Sequence, residues 1–310
     1  MIFIELVWAK NTQWYGLFAH AADAISNDAL AQALLDNELA LPCFALSELP
    51  SPIVNLSGEG GEVQLPGQLH FNINNKAALT QIAQNDYACG SWYTEALAGS
   101  GKINPAKPVL LELLSLIVSD ADTSALEKTL AKAPQLMLNL LKLVNSVGMG
   151  GASQARSIRQ AITLLGRRQL QRWLQLLLYA EQYGDDAITP PILIAAALRG
   201  KRLALWSDNG WLPGVDSDEA FLCGMLSLLD RLFGEPLVQL IDPLPLAPSL
   251  RSALLDGEGV LGHALLQLCA LEAAQADTST MSPMASDPTR WIHSEIKAIA
   301  WVRRLVSESF

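Results

Sequence analysis

Histidine and cysteine are scarce in this chain, four of each in 310 residues. Cys43, Cys89, Cys223 and Cys269 are far apart, and no pair has the short spacing of a zinc knuckle or dithiol redox site, so they are expected as buried, reduced thiols. Arginine does not occur in residues 1–107. Long apolar runs are lacking too: 109–118 and 190–198 fall well short of the roughly 20 residues of a membrane-spanning helix. The first ten residues, MIFIELVWAK, have no basic segment and place Glu5 inside the apolar run, so they read as an opening strand rather than a signal peptide, with a cytoplasmic location expected. Basic charge is in deficit as well. A formal net charge of −10 argues against a general coat for polyanions, and the eight tryptophans are scattered rather than set out as a base-stacking strip, so no nucleic-acid groove is expected. Gly58-Glu59-Gly60-Gly61 lacks the lysine and hydroxyl of a phosphate loop and reads as a turn, and no GxSxG marks a nucleophile elbow.

Half the residues are hydrophobic and 17% are charged, the balance of a folded chain. The length accommodates two domains. GSGKINPAKP, residues 99–108, concentrates glycine and proline between two patterned regions and marks the junction. Residues 1–100 alternate strand patterns (2–8, 42–46, 62–65, 69–73) with helical ones (28–35, 76–83), predicting a small α/β domain. Residues 108–310 read as all-helical, making the fold class α+β overall. A helix over 109–118 is followed by one that Thr123 or Ser124 caps, with Glu127 in its early turns. Pro134 opens a third, with Leu136, Leu140, Leu141 and Val144 on one face. Another starts near Ser157 and meets a turn at Gly166, after which Leu170, Trp173, Leu174 and Leu177 resume the spacing. Further helices are expected over 191–205, 219–233, 249–254, 260–272 and 291–306, with 276–289 as a mobile loop.

In SIRQAITLLGRRQLQRWLQLLLYA, residues 157–180, the sequence resembles the HDOD domain, a variant of the metal-dependent HD hydrolase fold that has lost its catalytic apparatus. PVLLELLSLI (108–117), APQLMLNLLKLVNS (133–146), EAFLCGMLSLLDRLFGEPL (219–237) and ALLDGEGVLGHALL (253–266) agree in order, most closely with the HDOD half of bacterial proteins that pair it with an EAL domain. HD chemistry needs imidazoles and carboxylates converging on a divalent metal that ionises water. Where the resemblance sets the His-Asp dipeptide, this chain has Ser227 and Leu228, a degenerate position. No histidine lies between His70 and His263, so the ligand implied on the preceding helix, near Lys201, is missing as well. Asp230, two positions beyond the aspartate slot, reads as a surface or capping residue, and His263 and His293 have no partners at ligand spacing. The tripeptide Glu95-Ala96-Leu97 matches the EAL signature by letter, but it sits at the end of a region too short for a full EAL barrel and is not followed by arginine. A reduced or diverged EAL-like region is what that similarity implies.

Charge is segregated. Lys128, Lys132, Lys142, Arg156, Arg159, Arg167, Arg168 and Arg172 fall in one stretch, 128–180, that has no Asp or Glu. Arg156, Arg159, Arg167, Arg168 and Arg172 form a candidate interaction surface for an acidic partner or a nucleotide phosphate, or else they cover a buried helix pair and bridge to the acidic N-terminal region. The resemblance implies non-catalytic signal transduction through protein contacts, with no metal or other cofactor. A nucleotide sensor of the cyclic di-GMP type, without turnover, is the alternative, followed by a phosphodiesterase or phosphohydrolase with a rearranged metal site.

Overall fold

The computed structural model describes residues 3–20, 24–39, 41–46, 53–55, 65, 67–95, 107–132, 157, 160, 172, 191–273 and 287–309. Strict alternation in the first strand, β1 (Phe3–Ala9), divides its side chains between two apolar environments. Ile4, Leu6 and Trp8 enter the main core, while Val7 points the other way, to a small cluster with Phe18, Phe44, Tyr87 and Cys89. β2 (Trp14–His20) returns antiparallel to β1, and β3 (Cys43–Leu46) runs parallel to β2. With β4 (Ile53–Asn55), β5 (Leu69–His70) and β6 (Tyr87–Ala88) they make a sheet in the order β4-β3-β2-β1-β6-β5. The pairing slips between Val7 and Trp8: Val7 faces Gly16 and Trp8 faces Trp14. The extra residue, Tyr15, packs against Tyr87 at 4.4 Å. Gly16 is required where β2 meets the chain entering β3, since a Cβ there would lie 2.6 Å from the Pro42 carbonyl.

The helices are α1 (Ala24–Asp36), α2 (Lys76–Gln81), α3 (Lys107–Val118), α4 (Thr123–Ala131), α5 (Pro191–Asp208), α6 (Ser217–Leu226), α7 (Leu229–Phe233), α8 (Leu237–Ile241), α9 (Pro248–Leu255), α10 (Gly259–Glu272) and α11 (Pro288–Ser309). α5 is the centre of the packing. Its residues are buried from Ile192 to Trp206 with one interruption, at Lys201, the signature of a helix covered on every side. It touches α6, α10, α11 and the 3-10 turn Trp92–Thr94, so the sheet and the helices share one apolar core. α5 and α6 cross with their backbones in contact: a Cβ on Gly224 would sit 2.5 Å from the Gly200 nitrogen. Trp291 of α11 packs on Trp206 and Trp211 with ring centroids 5.5 and 5.9 Å away.

Several predicted elements change. The predicted helix over 219–233 is two, because Leu228 leaves helical geometry at φ −116°, ψ 10° between α6 and α7. The cap of α4 is Asp122, whose carboxylate accepts from the Ala125 N–H; Thr123 and Ser124 lie inside the helix. β2, β4, β6 and α8 were not anticipated. The predicted strand 62–65 apart from Leu65, the helix after Pro134, the helices after Ser157 apart from Gln160 and Arg172, the turn at Gly166 and most of the junction 99–108 and loop 276–289 lie outside the described residues, although Pro288 and Thr289 open α11. Pro248–Glu272, long and apolar enough overall to cross a membrane, is divided into α9 and α10 around Gly257, which has φ +69°.

Adding one methyl at the α5–α6 crossing should overpack it: Gly224→Ala is expected to lower stability by about 1–3 kcal/mol, measured by urea unfolding. Gly210→Ala, at φ +76° with open space around it, should cost no more than about 1–2 kcal/mol through backbone strain alone.

Candidate functional site

Arginines three apart on an apolar helix point to the same side, and α5 thereby places Arg199 and Arg202 against α10, α11 and β1. Both are buried, at 7% and 3% exposure. Arg199 donates from Nε to Oε2 of Glu272, the last residue of α10, at 2.7 Å, and from Nη1 to the Ser227 hydroxyl at 3.1 Å. The Ser227 hydroxyl in turn donates to the Gly224 carbonyl at 2.7 Å. Arg202 pairs with Glu295 of α11 at 2.8 Å, with the other Glu272 oxygen at 3.6 Å, and reaches the Ile4 carbonyl of β1 at 3.5 Å. One network therefore joins α5, α6, α10, α11 and the first strand.

The charges are not evenly satisfied. Burial is the largest influence and works against the Arg199 charge, but Glu272, by charge and hydrogen bond, together with Cys269 and Tyr93 more than offsets it and holds the guanidinium firmly protonated. For Glu295 burial is the leading influence and raises its pKa above the ordinary glutamate range, against the pull of Arg202. Its Oε1 and the Arg202 Nε are buried without a hydrogen-bond partner. Burial, followed by the Glu272 charge, also raises the Tyr93 phenol. Glu5, Tyr93, Leu198, Arg202 and Glu272 border a small cleft with room for water rather than an organic ligand.

A divalent metal does not suit this position. The position that the sequence resemblance sets against the His-Asp pair has the Ser227 hydroxyl, already engaged on both sides, and the Leu228 side chain, 2% exposed. The nearest strong charge is the Arg199 cation, which would repel a metal ion. Among the described residues no three His, Cys, Asp or Glu side chains gather as a ligand set. His20 pairs with Glu5 at 2.6 Å, His70 with Asp86 at 2.8 Å, His293 lies 3.9 Å from Asp36, and His263 is exposed. Asp230 faces Arg231 at 3.2 Å. Burial drives the pKa values of Cys43 and Cys223 up to about 12, so neither is a ready nucleophile.

Glu95, first letter of the EAL tripeptide, accepts from the Lys76 N–H at 2.7 Å in the first turn of α2, whose N-cap is Asn75. Arg172 turns inward: it donates to Asp218 at 2.6 Å and lies 5.1 Å from the Phe221 ring centroid. Arg156, Arg159, Arg167 and Arg168 lie outside the described residues. Sequence reading passed over Arg199, Arg202, Glu272 and Glu295, although a signal was there: isolated charges inside otherwise apolar helices.

Removing one partner strands a buried charge. Arg199→Met is expected to cost about 3–5 kcal/mol, with much of the loss recovered in Arg199→Met/Glu272→Leu, both read by urea unfolding. Because the folded pKa of Glu295 is raised, the folded state holds its proton longer, so this group's contribution is full at acid pH and declines as pH rises through the folded value. Glu295→Gln should flatten that part of the stability profile between acid and neutral pH.

Residues 104–233 match the HDOD domain family. The chain is 26% identical over 164 residues to cyclic di-GMP phosphodiesterase CdgJ of Vibrio cholerae, covering 53% of this chain and 37% of that protein. It is 25% identical over 172 residues to the uncharacterized protein YuxH of Bacillus subtilis, covering 55% and 42%. The chain thus spans well under half the length of these curated relatives. No solved structure matches. The matched segment includes α3 to α7, with Arg199, Arg202, Ser227 and Leu228 inside it and Glu272 and Glu295 beyond its end. The chain carries an HDOD domain in residues 104–233.

Proposed function

We propose that this protein is a non-catalytic signal-transduction module that acts through contacts with a partner protein. The observation that carries the reading is the Arg199 guanidinium on the Ser227 hydroxyl. A fixed organic cation, neutralised by Glu272, thus lies beside Ser227, the residue that the sequence resemblance sets against the metal-binding pair of HD hydrolases. A buried ion pair can hold helices in register but cannot ionise water for attack on a phosphodiester.

Contact rather than turnover suits the surface of the later helices. Val260 and Leu266 of α10 are 43% and 56% exposed, and Val238 of α8 is 40% exposed. Apolar side chains left in water are candidates for burial by a partner. The Arg202 bond to the β1 backbone gives a physical route between the sheet and that helical surface. CdgJ is named as a cyclic di-GMP phosphodiesterase, which makes cyclic di-GMP the nucleotide to test, both as substrate and as ligand.

The test is an assay of the chain with cyclic di-GMP and a generic phosphodiester in the presence of Mg2+, Mn2+ or Zn2+, alongside calorimetry with cyclic di-GMP. No turnover is expected with any metal. Hydrolysis that follows protein concentration and is abolished by a chelator would overturn the reading; heat of binding without hydrolysis would leave the protein non-catalytic and identify its signal as a nucleotide.

A further inference from the structure

Lys201 is the single interruption in the buried stretch of α5. At 100° per residue it projects away from the side carrying Arg199 and Arg202. Its ammonium lies 5.5 Å from the Trp301 ring centroid. Trp301 meets Phe221 edge-on at 5.9 Å, and Arg172 covers Phe221. On α11, Lys297, Trp301 and Arg304 follow an i, i+4, i+7 spacing and share one helix face, with Lys297 and Arg304 exposed.

These groups form a cationic cluster in an acidic protein. Burial, then the charges of Arg172 and Lys297, push the Lys201 pKa down to about 8, with Asp208 acting in the opposite direction and Arg304 adding to the repulsion. Asp218 is engaged by Arg172. Among the described residues, Arg172, Lys201, Lys297 and Arg304 thus meet Asp208 and Asp218, an excess of about two positive charges at a half-buried place. Like charges held this close are destabilising unless something neutralises them, and a phosphate monoester carries about −1.5 to −2 at neutral pH. One carboxylate would cancel only half the excess. Guanidinium and ammonium donors suit the several oxygens of a phosphate.

We propose that the face formed by Arg172, Lys201, Lys297 and Arg304 around Trp301 binds a phosphate dianion, either free or as the terminal group of an organic ester. The site is separate from the Arg199–Ser227 position and does not rest on the regulatory reading.

The test is calorimetry on the full chain at low ionic strength and pH 7, with inorganic phosphate, pyrophosphate and a nucleoside 5′-monophosphate. Saturable binding is expected, weakened roughly tenfold or more in Lys297→Gln/Arg304→Gln and unchanged in Arg231→Gln, which removes an exposed cation elsewhere. Equal affinity for phosphate and ester assigns the site to the free anion, and tighter ester binding to an organic phosphate. Above about pH 8 the wild type should take up a proton on binding and lose affinity, whereas Lys201→Arg, which keeps its charge, should not. Both glutamine positions are exposed, so the double variant should fold, checked by its thermal transition. No saturable heat with any of the three anions, equal affinity in the double variant, or an equal loss in Arg231→Gln would overturn the proposal.

Discussion

Two arginines on a helix that is covered on all sides cannot remain charged unless carboxylates are brought to them, and that requirement organises this molecule. α5 is buried because its apolar residues occupy every face, not one stripe. Arg199 and Arg202 therefore have little access to water beyond one small cleft, and Glu272 and Glu295 arrive from the ends or flanks of other helices. The Ile4 carbonyl completes the arrangement and brings the first strand into it. The close α5–α6 crossing, possible because Gly200 and Gly224 have no side chains there, puts Ser227 within reach of Arg199.

That geometry connects fold to chemistry. An HD hydrolase brings imidazoles and carboxylates to one point so that a metal can polarise water. In this chain the crossing of α5 and α6, which the sequence resemblance sets against that point, holds a guanidinium, a hydroxyl and a carboxylate that bond one another. What remains imperfect lies one turn away, where Arg202 and Glu295 each leave an atom unpaired. A half-satisfied buried pair is the part of such a network whose energy changes most readily when neighbouring elements shift. It lies where sheet, α5 and α11 meet, a suitable place for a contact made on one element to be felt by the others.

The HDOD segment was legible as a resemblance carried by blocks such as residues 219–237, and most helices after residue 190 were legible because each carries its own apolar periodicity and its own stop signals. Ser217–Leu226, Gly259–Glu272 and Pro288–Ser309 are recognisable from spacing alone. β2 was missed because Trp14–His20 mixes aromatic, glycine and alanine without clean alternation, and its pairing partner supplies the missing information. The break at Leu228 was missed because nothing in Ser227-Leu228-Leu229 disfavours a helix locally. The Arg199 contact and the turn into α7 meet there only in the folded chain.

By itself the sequence determined the inventory: an acidic chain, thiols kept apart in sequence, few histidines, and a helical region resembling the HDOD fold. These are properties of residues and short spacings, which the chain carries before it folds. Only the tertiary structure decided which charges meet. Arg199 and Glu272 are separated by 73 residues, and Lys201 and Trp301 stand on different helices. Local propensity does not act over such separations, because these pairs are chosen by the packing of whole helices and by the cost of leaving a charge buried alone.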